Sequence, residues 1–282
     1  MRQRFKKITV VILLLSIIFV FSSCNGIVSK EPQFKENAEG MALYRYKSKS
    51  TETVYTVPDE YEGKTVTELM NFSLANADYL NKIVIGKNIS KIGVWAMTNC
   101  GNLEAIEVSP ENEYFTSVDG VLYNKDMTEI LCYPNSKSSL EWNDDGTYKC
   151  GGEFIFPETV KSVRDNAFYC CHNLYKVVIN EGVESIGDMA FIKCTTMAEV
   201  TIPSTVKTIG KDAFSYCDNV KVFEIPSSVE KIDDYGFYAT GSNTEKIVIH
   251  KDGAQDLVLG KDWIPNKKGT LGSKVDVQWA GA

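Results

Sequence analysis

The chain has 282 residues, with 30 lysines and arginines against 37 acids and a formal charge of −7. That length loosely permits two domains, and the acidic balance disfavours nucleic acid or anionic lipid as a partner of the surface. The acids are scattered and form no D-x-D-x-D-G loop of calcium-binding type, so they read as a solvated face, with no metal site and no cofactor expected.

Taken in chain order, Arg2, Arg4, Lys6 and Lys7 precede an apolar run from Ile8 to Phe21. A basic start, a short apolar run and small residues behind it describe a secretory signal over residues 1–23. The run is shorter than the roughly 18–20 residues needed to span a bilayer. Ser22, Ser23 and Cys24 follow. A cysteine behind two small residues resembles the bacterial lipobox, in which cleavage leaves an N-terminal diacylglycerol-modified cysteine. Cys24 is therefore the expected lipidation site, and two or three acyl chains, at about 0.8 kcal/mol per buried CH₂, anchor stably. Residues 1–23 hold four positive charges and no acids, which leaves the remainder near −11. Residues 24–40 are polar and without period, like a flexible tether. Residues 41–66 alternate and turn like an N-terminal cap.

From there a ruler governs the chain. Phe168, Phe191, Phe214 and Phe237 stand 23 residues apart, and Leu74 and Met97, also 23 apart, fit the same frame upstream. Each unit opens with alternating apolar residues, as in Val177 and Ile179, Val200 and Ile202, Phe223 and Ile225. Period two means a short strand with one buried face. Pro203 and Pro226 close two of these strands, since proline donates no ladder hydrogen bond. A second apolar pair follows, as in Val183 and Ile186 or Val206 and Ile209. Gly187 and Gly210 come next, where a corner can use positive φ. The Ala-Phe step then predicts a tight helical turn with the ring filling the coil. Such a unit cannot bury its apolar face alone, so the repeats stack as a solenoid and residues 41–282 form one domain.

One interval breaks the ruler. The strand pair Ile106 and Val108 is followed by Phe154 and Phe156 only after 48 residues, 25 more than one period. Within this insertion, residues 109–153, apolar residues alternate around Asp119-Gly120, a strong hairpin signal. The expectation is a β-meander from Phe115 to Tyr133 against the solenoid flank. After His250 the ruler fades, and residues 251–282, with Trp263, Val275, Val277 and Trp279, read as a C-terminal cap.

Eight cysteines in an exported chain invite a disulfide framework. Cys100, Cys171, Cys194 and Cys217 share one repeat position, however, which predicts packed thiols. Cys132, Cys150 and Cys170 fall outside that position, and a Cys132–Cys150 bridge stays open. No C-x-x-C pair suggests zinc. His172 follows Cys170-Cys171, but Cys171 is expected to be buried and no third orienting residue stands at a meaningful spacing, which argues against a thiol protease. His250 takes the place of Pro203 and Pro226 and is expected at the surface. No G-x-S-x-G, H-E-x-x-H, P-loop or G-x-G-x-x-G motif occurs, so no catalytic residue is assigned.

The frame of strand, Ile-Pro, Val, Ile-Gly, Ala-Phe, Cys and Leu resembles the BspA-like bacterial leucine-rich repeat proteins over roughly Tyr55 to His250. The inserted SVDGVLYNKDMTEILCYP is similar to a stretched repeat of that family. Leu74 and Met97, replacing phenylalanine, and Thr240, replacing cysteine, depart from the pattern towards the two ends. The resemblance implies a right-handed, β-rich leucine-rich-repeat solenoid with short helical turns and an inserted β-meander. It implies a bacterial lipoprotein of the cell envelope, surface-exposed, touching membrane only through the lipid on Cys24. Its use would be adhesion or protein–protein binding, with a host or envelope protein as partner. The outward row of the first strands is the expected contact face: Val84, Glu107, Ile155, Val178, Thr201, Glu224 and Val248. That row lacks aromatic residues, which favours a protein partner over the alternative, a glycan-capturing surface lipoprotein for nutrient uptake.

Overall fold

A computed structural model describes residues 32–47, 49–137, 141–142, 148–149, 152–240, 243–264 and 275–281. The alternating segments form a first ladder of parallel strands, which runs as three three-stranded sheets. These are Val54–Thr56, Lys82–Ile85 and Ala105–Val108; Gly152–Ile155, Leu174–Val178 and Glu199–Thr201; and Val222–Ile225, Lys246–Ile249 and Asp276–Trp279. Ile83, Ile106, Val177, Phe223 and Ile247 point inward and are fully buried. Because side chains alternate at period two, a slip of one residue would turn this whole row to solvent, which pins the register.

The second apolar positions make two-residue strands: Ser162–Val163, Ser185–Ile186, Thr208–Ile209, Lys231–Ile232 and Val258–Leu259. They pair in parallel, with Val163, Ile186, Ile209 and Ile232 in register. The same sheet continues into the insertion. Glu129–Cys132 pairs in parallel with Ser162–Val163, and Val121–Asn124 lies antiparallel between it and Phe115–Val118. The meander expected on the flank is instead the N-terminal end of the second ladder. Val121–Asn124 divides two cores: Val121 and Tyr123 pack with the C-terminal cluster, and Leu122 with the N-terminal one.

The Ala-Phe step is not helical. Two residues in each turn take left-handed backbone, as in Asn166 and Cys170, Met189 and Lys193, or Tyr235 and Ala239, which interrupts the right-handed run a helix needs. Successive i→i+3 turns result, and rung bonds stack them: Phe168 N to Ala190 O, Phe191 N to Ala213 O and Phe214 N to Gly236 O, each 2.8 Å. Among the described residues the one helical element is the 3-10 turn Ala254–Asp256. Gly187 and Gly210 also depart from expectation, since neither has positive φ. A Cβ on Gly187 would lie 2.6 Å from Asp165 N, and one on Gly210 2.6 Å from Gly187 C. Close approach of neighbouring coils, and not conformation, requires glycine there.

Down the middle runs a column of rings. Tyr133, Phe168, Phe191, Phe214 and Phe237 stack with centroid separations of 5.0, 4.7, 5.2 and 5.3 Å. Tyr133 belongs because its N–H makes the same rung bond, to Ala167 O at 2.7 Å; the insertion thus supplies its own ring to the column. Beside the rings, Cys100, Cys194 and Cys217 donate to the carbonyls of Leu74, Phe168 and Phe191 at 3.1 Å. A thiol is small enough to fill the site and still donates weakly. Cys132 carries a free thiol; its candidate partner Cys150, like Cys24 and the signal segment, lies outside the described residues.

Both ends extend the ladders. Gln33–Asn37, read as part of a tether, is a strand antiparallel to Gly40–Arg45, with Phe34 stacked on Tyr61 at 4.2 Å. The C-terminal segment adds Val258–Leu259 to the second ladder and Asp276–Trp279 to the first. Trp263, Val275 and Val277 pack half-buried on the last coil, while Trp279 stays exposed.

Candidate functional site

The outward positions of the first ladder follow from its inward ones. Ile155 is 57% exposed, Glu107, Thr201 and Glu224 are exposed, and Val84 and Val178 are half-buried. Val248 is the exception at 9%. It stands between Glu224 on one rung and Gln278 on the next, and those longer side chains shield a short branched one. The structure also divides the expected continuous row into Val84 with Glu107, Ile155 with Val178 and Thr201, and Glu224 with Val248. The insertion causes the first division. The second falls between Glu199–Thr201 and Val222–Ile225, which are neighbours in the winding but do not pair. Bonds on either side are made: Ile179 N to Thr201 O at 3.2 Å and His250 N to Ile225 O at 2.9 Å.

At this opened rung the surface sinks into a groove of about 450 Å³, bordered by Val178, Thr201, Glu224, Glu181, Ser204 and His250. Sequence reasoning reached the first three and His250, and missed Glu181 and Ser204. The available signal was the ruler, because these two hold consecutive places just beyond the strand ends. Glu181 accepts from Ser204 N at 3.2 Å and from its hydroxyl at 3.1 Å, while His250 Nε2 meets Glu224 Oε2 at 2.6 Å. Further up the face Lys176 pairs with Glu153 at 2.9 Å and Lys82 with Glu107 at 2.6 Å. Exposed pairs of this kind contribute little stability, at about 0–1 kcal/mol each. Within the groove, Glu181, Glu224 and His250 place ordered polar and charged groups around a shallow, partly apolar floor.

The Cys171–His172 pair is separated by its surroundings. Cys171 Sγ donates to Tyr133 O at 3.7 Å, and burial pushes the thiol well above its usual range. His172 Nδ1 instead faces Thr195 Oγ1 at 3.1 Å, and burial followed by Lys193 pushes that imidazole down. Burial also raises Cys100 and Cys132 to about 12. Thiols held protonated are poor nucleophiles.

The BspA type leucine rich repeat region family matches residues 44–141 and 148–254, in six copies. Among solved structures, the pneumococcal vaccine antigen PcpA is 22% identical with a TM-score of 0.59, covering 76% of this chain and 48% of that one. A leucine-rich repeat protein from Eubacterium ventriosum is 27% identical with a TM-score of 0.52, covering 75% and 54%. A leucine rich cell surface protein from Faecalibacterium prausnitzii is 22% identical with a TM-score of 0.53, covering 77% and 63%. The chain thus spans about half the length of the first two of these. No curated protein matches it.

Proposed function

We propose that this chain, which belongs to the BspA-type leucine-rich repeat family, is a lipid-anchored surface protein that holds a protein partner on its first strand ladder. The observation that carries the reading is the groove at the opened rung, where Val178, Thr201 and Glu224 border one recess. Val178 and Thr201 stand on paired strands about 4.8 Å apart, and Glu224 faces the same groove across the unpaired rung, so a partner seated there can touch all three side chains. The cellular setting is supported by one solved neighbour, which is described as a leucine rich cell surface protein. Adhesion to a host or envelope protein needs an exported, tethered domain, which the basic start, the apolar run and Cys24 would provide. A binding role is supported by the buried thiols, whose ionisation burial disfavours, and by the two histidines, which face Thr195 and Glu224.

The triple variant Val178→Lys, Thr201→Lys, Glu224→Lys places three cations on the groove without touching the core. It is expected to melt like wild type and to lose, in pull-down and titration, the matrix or envelope protein that wild type captures. A partner held with unchanged affinity would remove the ladder as the site. Cys24→Ala is expected to abolish palmitate labelling and leave unprocessed precursor; persistent labelling would end the lipoprotein reading.

A further inference from the structure

The open rung of the first ladder lacks particular backbone bonds. Up to it the strand ends are tied in series, with Phe156 N donating to Val178 O at 3.0 Å and Ile179 N to Thr201 O at 3.2 Å. The next bond of that series would run from Ile202 N to Glu224 O, and it is not made. At the other strand ends Ala198 N donates to Tyr175 O and Glu245 N to Lys221 O, both at 2.8 Å, yet no bond joins Lys221 N to Ala198 O. Among the described residues, Glu199–Thr201 and Val222–Ile225 are therefore two facing edges, each paired only on its far side. On the second ladder the same two coils stay closed, with Thr208–Ile209 paired to Lys231–Ile232. The coils part on one face alone.

The parting reaches the core. Val200 holds the inward position of Val177 and Phe223, which are fully buried, yet Val200 is only half-buried. The groove of about 450 Å³ lies at the strand ends, where Thr201 and Ile202 border it from one edge and Glu224 from the other. Unpaired backbone beside a half-covered apolar side chain is what a sheet edge offers to an added strand.

Peptide geometry fixes what fits. In a trans peptide unit the carbonyl and the N–H point in opposite directions. One such unit in the opening accepts from Ile202 N–H and donates to Glu224 O, which supplies both halves of the missing bond. A second unit, turned over as alternation along a strand requires, donates to Ala198 O and accepts from Lys221 N–H. Ala198 to Ile202 is four residue steps, about 13 Å in a strand, so an extended segment of about five residues spans the opening. A helix cannot serve, because its backbone groups bond one another. Inward side chains of the segment meet Val200, which favours small apolar residues. At the strand ends its outward side chains meet the carboxylates of Glu181 and Glu224 against the single imidazole of His250, which favours a cation. At the other ends Glu199 and Lys221 are both exposed and balance. We propose, on the reading of the first ladder as a protein-binding face, that the partner is held by an extended segment inserted as a strand in this rung. The segment alternates small apolar residues with lysine or arginine.

The probes are blocked heptapeptides that alternate valine with lysine or valine with glutamate, titrated into the full chain by calorimetry and followed by amide exchange. The lysine peptide is expected to bind about tenfold or more tightly than the glutamate peptide, which corresponds to about 1.4 kcal/mol. The amides of Ile202 and Lys221 are expected to gain protection, while those of Ile179 and Glu245, already bonded, change little. Methylating any one of the three central peptide nitrogens is expected to weaken binding about tenfold or more, because an inserted strand is bonded on both sides. Tolerance of methyl groups at every second nitrogen marks a strand added to one edge alone and would overturn insertion. So would a lysine peptide that does not bind, a glutamate peptide that binds as tightly, or binding that leaves Ile202 and Lys221 exchanging as before. If the lysine peptide fails while the triple lysine variant still loses the captured protein, insertion falls and the ladder remains the binding face. If that variant keeps its protein, the ladder falls and insertion with it.

Discussion

Replacing Phe191 with alanine removes a ring from the middle of the column. Phe191 is fully buried, 4.7 Å from the Phe168 centroid and 5.2 Å from that of Phe214, with interplanar angles of 17° and 3°. A buried phenylalanine truncated to alanine costs about 3–5 kcal/mol. Each stacked pair adds about 0.5–1.5 kcal/mol beyond area, and Phe191 loses two, which points to the upper part of the range. The backbone rung from Phe191 N to Ala213 O and the Cys217 Sγ bond to Phe191 O do not depend on the ring, so the loss reports packing. At about 2–4 °C per kcal/mol for a chain of this size, the melt should fall by roughly 6–20 °C. Repeats are stabilised largely through their interfaces with neighbours. Hydrogen exchange should therefore quicken in the Phe168 and Phe214 coils as well as in that of Phe191. Phe191→Leu should recover part of the loss, since Leu74 fills the same position upstream. A Phe191→Ala protein that melts within a degree of wild type, with exchange unchanged in the flanking coils, would show that the column does not bind the coils together.

Gly187→Ala should destabilise by about 1–3 kcal/mol through overpacking, because its Cβ would lie 2.6 Å from Asp165 N; a thermal melt equal to wild type would show that the coils can part freely. The buried thiols link stability to alkaline pH. Cys100 and Cys132 are raised to about 12 in the fold, against about 8.5 in an unfolded chain. The folded state therefore holds more protons between these values. The contribution of the thiols is complete below about pH 8.5 and is lost as pH rises towards 12. Urea midpoints should fall across that window, and a thiol reagent at pH 8 should label Cys100 only as fast as the protein opens. Immediate labelling of Cys100 in the native protein would contradict its placement.

The ruler made the coils legible because burial imposes period two on the strands and one large ring on each turn. Other features depended on contacts that no local pattern encodes. Tyr133 joins the aromatic column 35 residues before Phe168, a spacing that looks irregular until the inserted strands are counted as rungs. Gly187 was legible as a required glycine, but the reason lies in the backbone of the preceding coil, which the sequence does not display. The left-handed residues of the turns include Phe72, Met189 and Tyr235, types whose own preferences point elsewhere; the stacked coils override them. The groove residues Val178, Thr201 and Glu224 could be found from alternation, whereas the unpaired rung beside them could not.

A partner seated on the first ladder should leave its imprint on backbone exchange. Hydrogen–deuterium exchange of the full chain, alone and saturated with the protein it captures, addresses this directly. Protection is expected in Leu174–Val178, Glu199–Thr201 and Val222–Ile225, with the greatest change beside the unpaired rung, and no change is expected in Ser185–Ile186 or Thr208–Ile209. Protection confined to the Asp119-Gly120 hairpin or to the second ladder would contradict it.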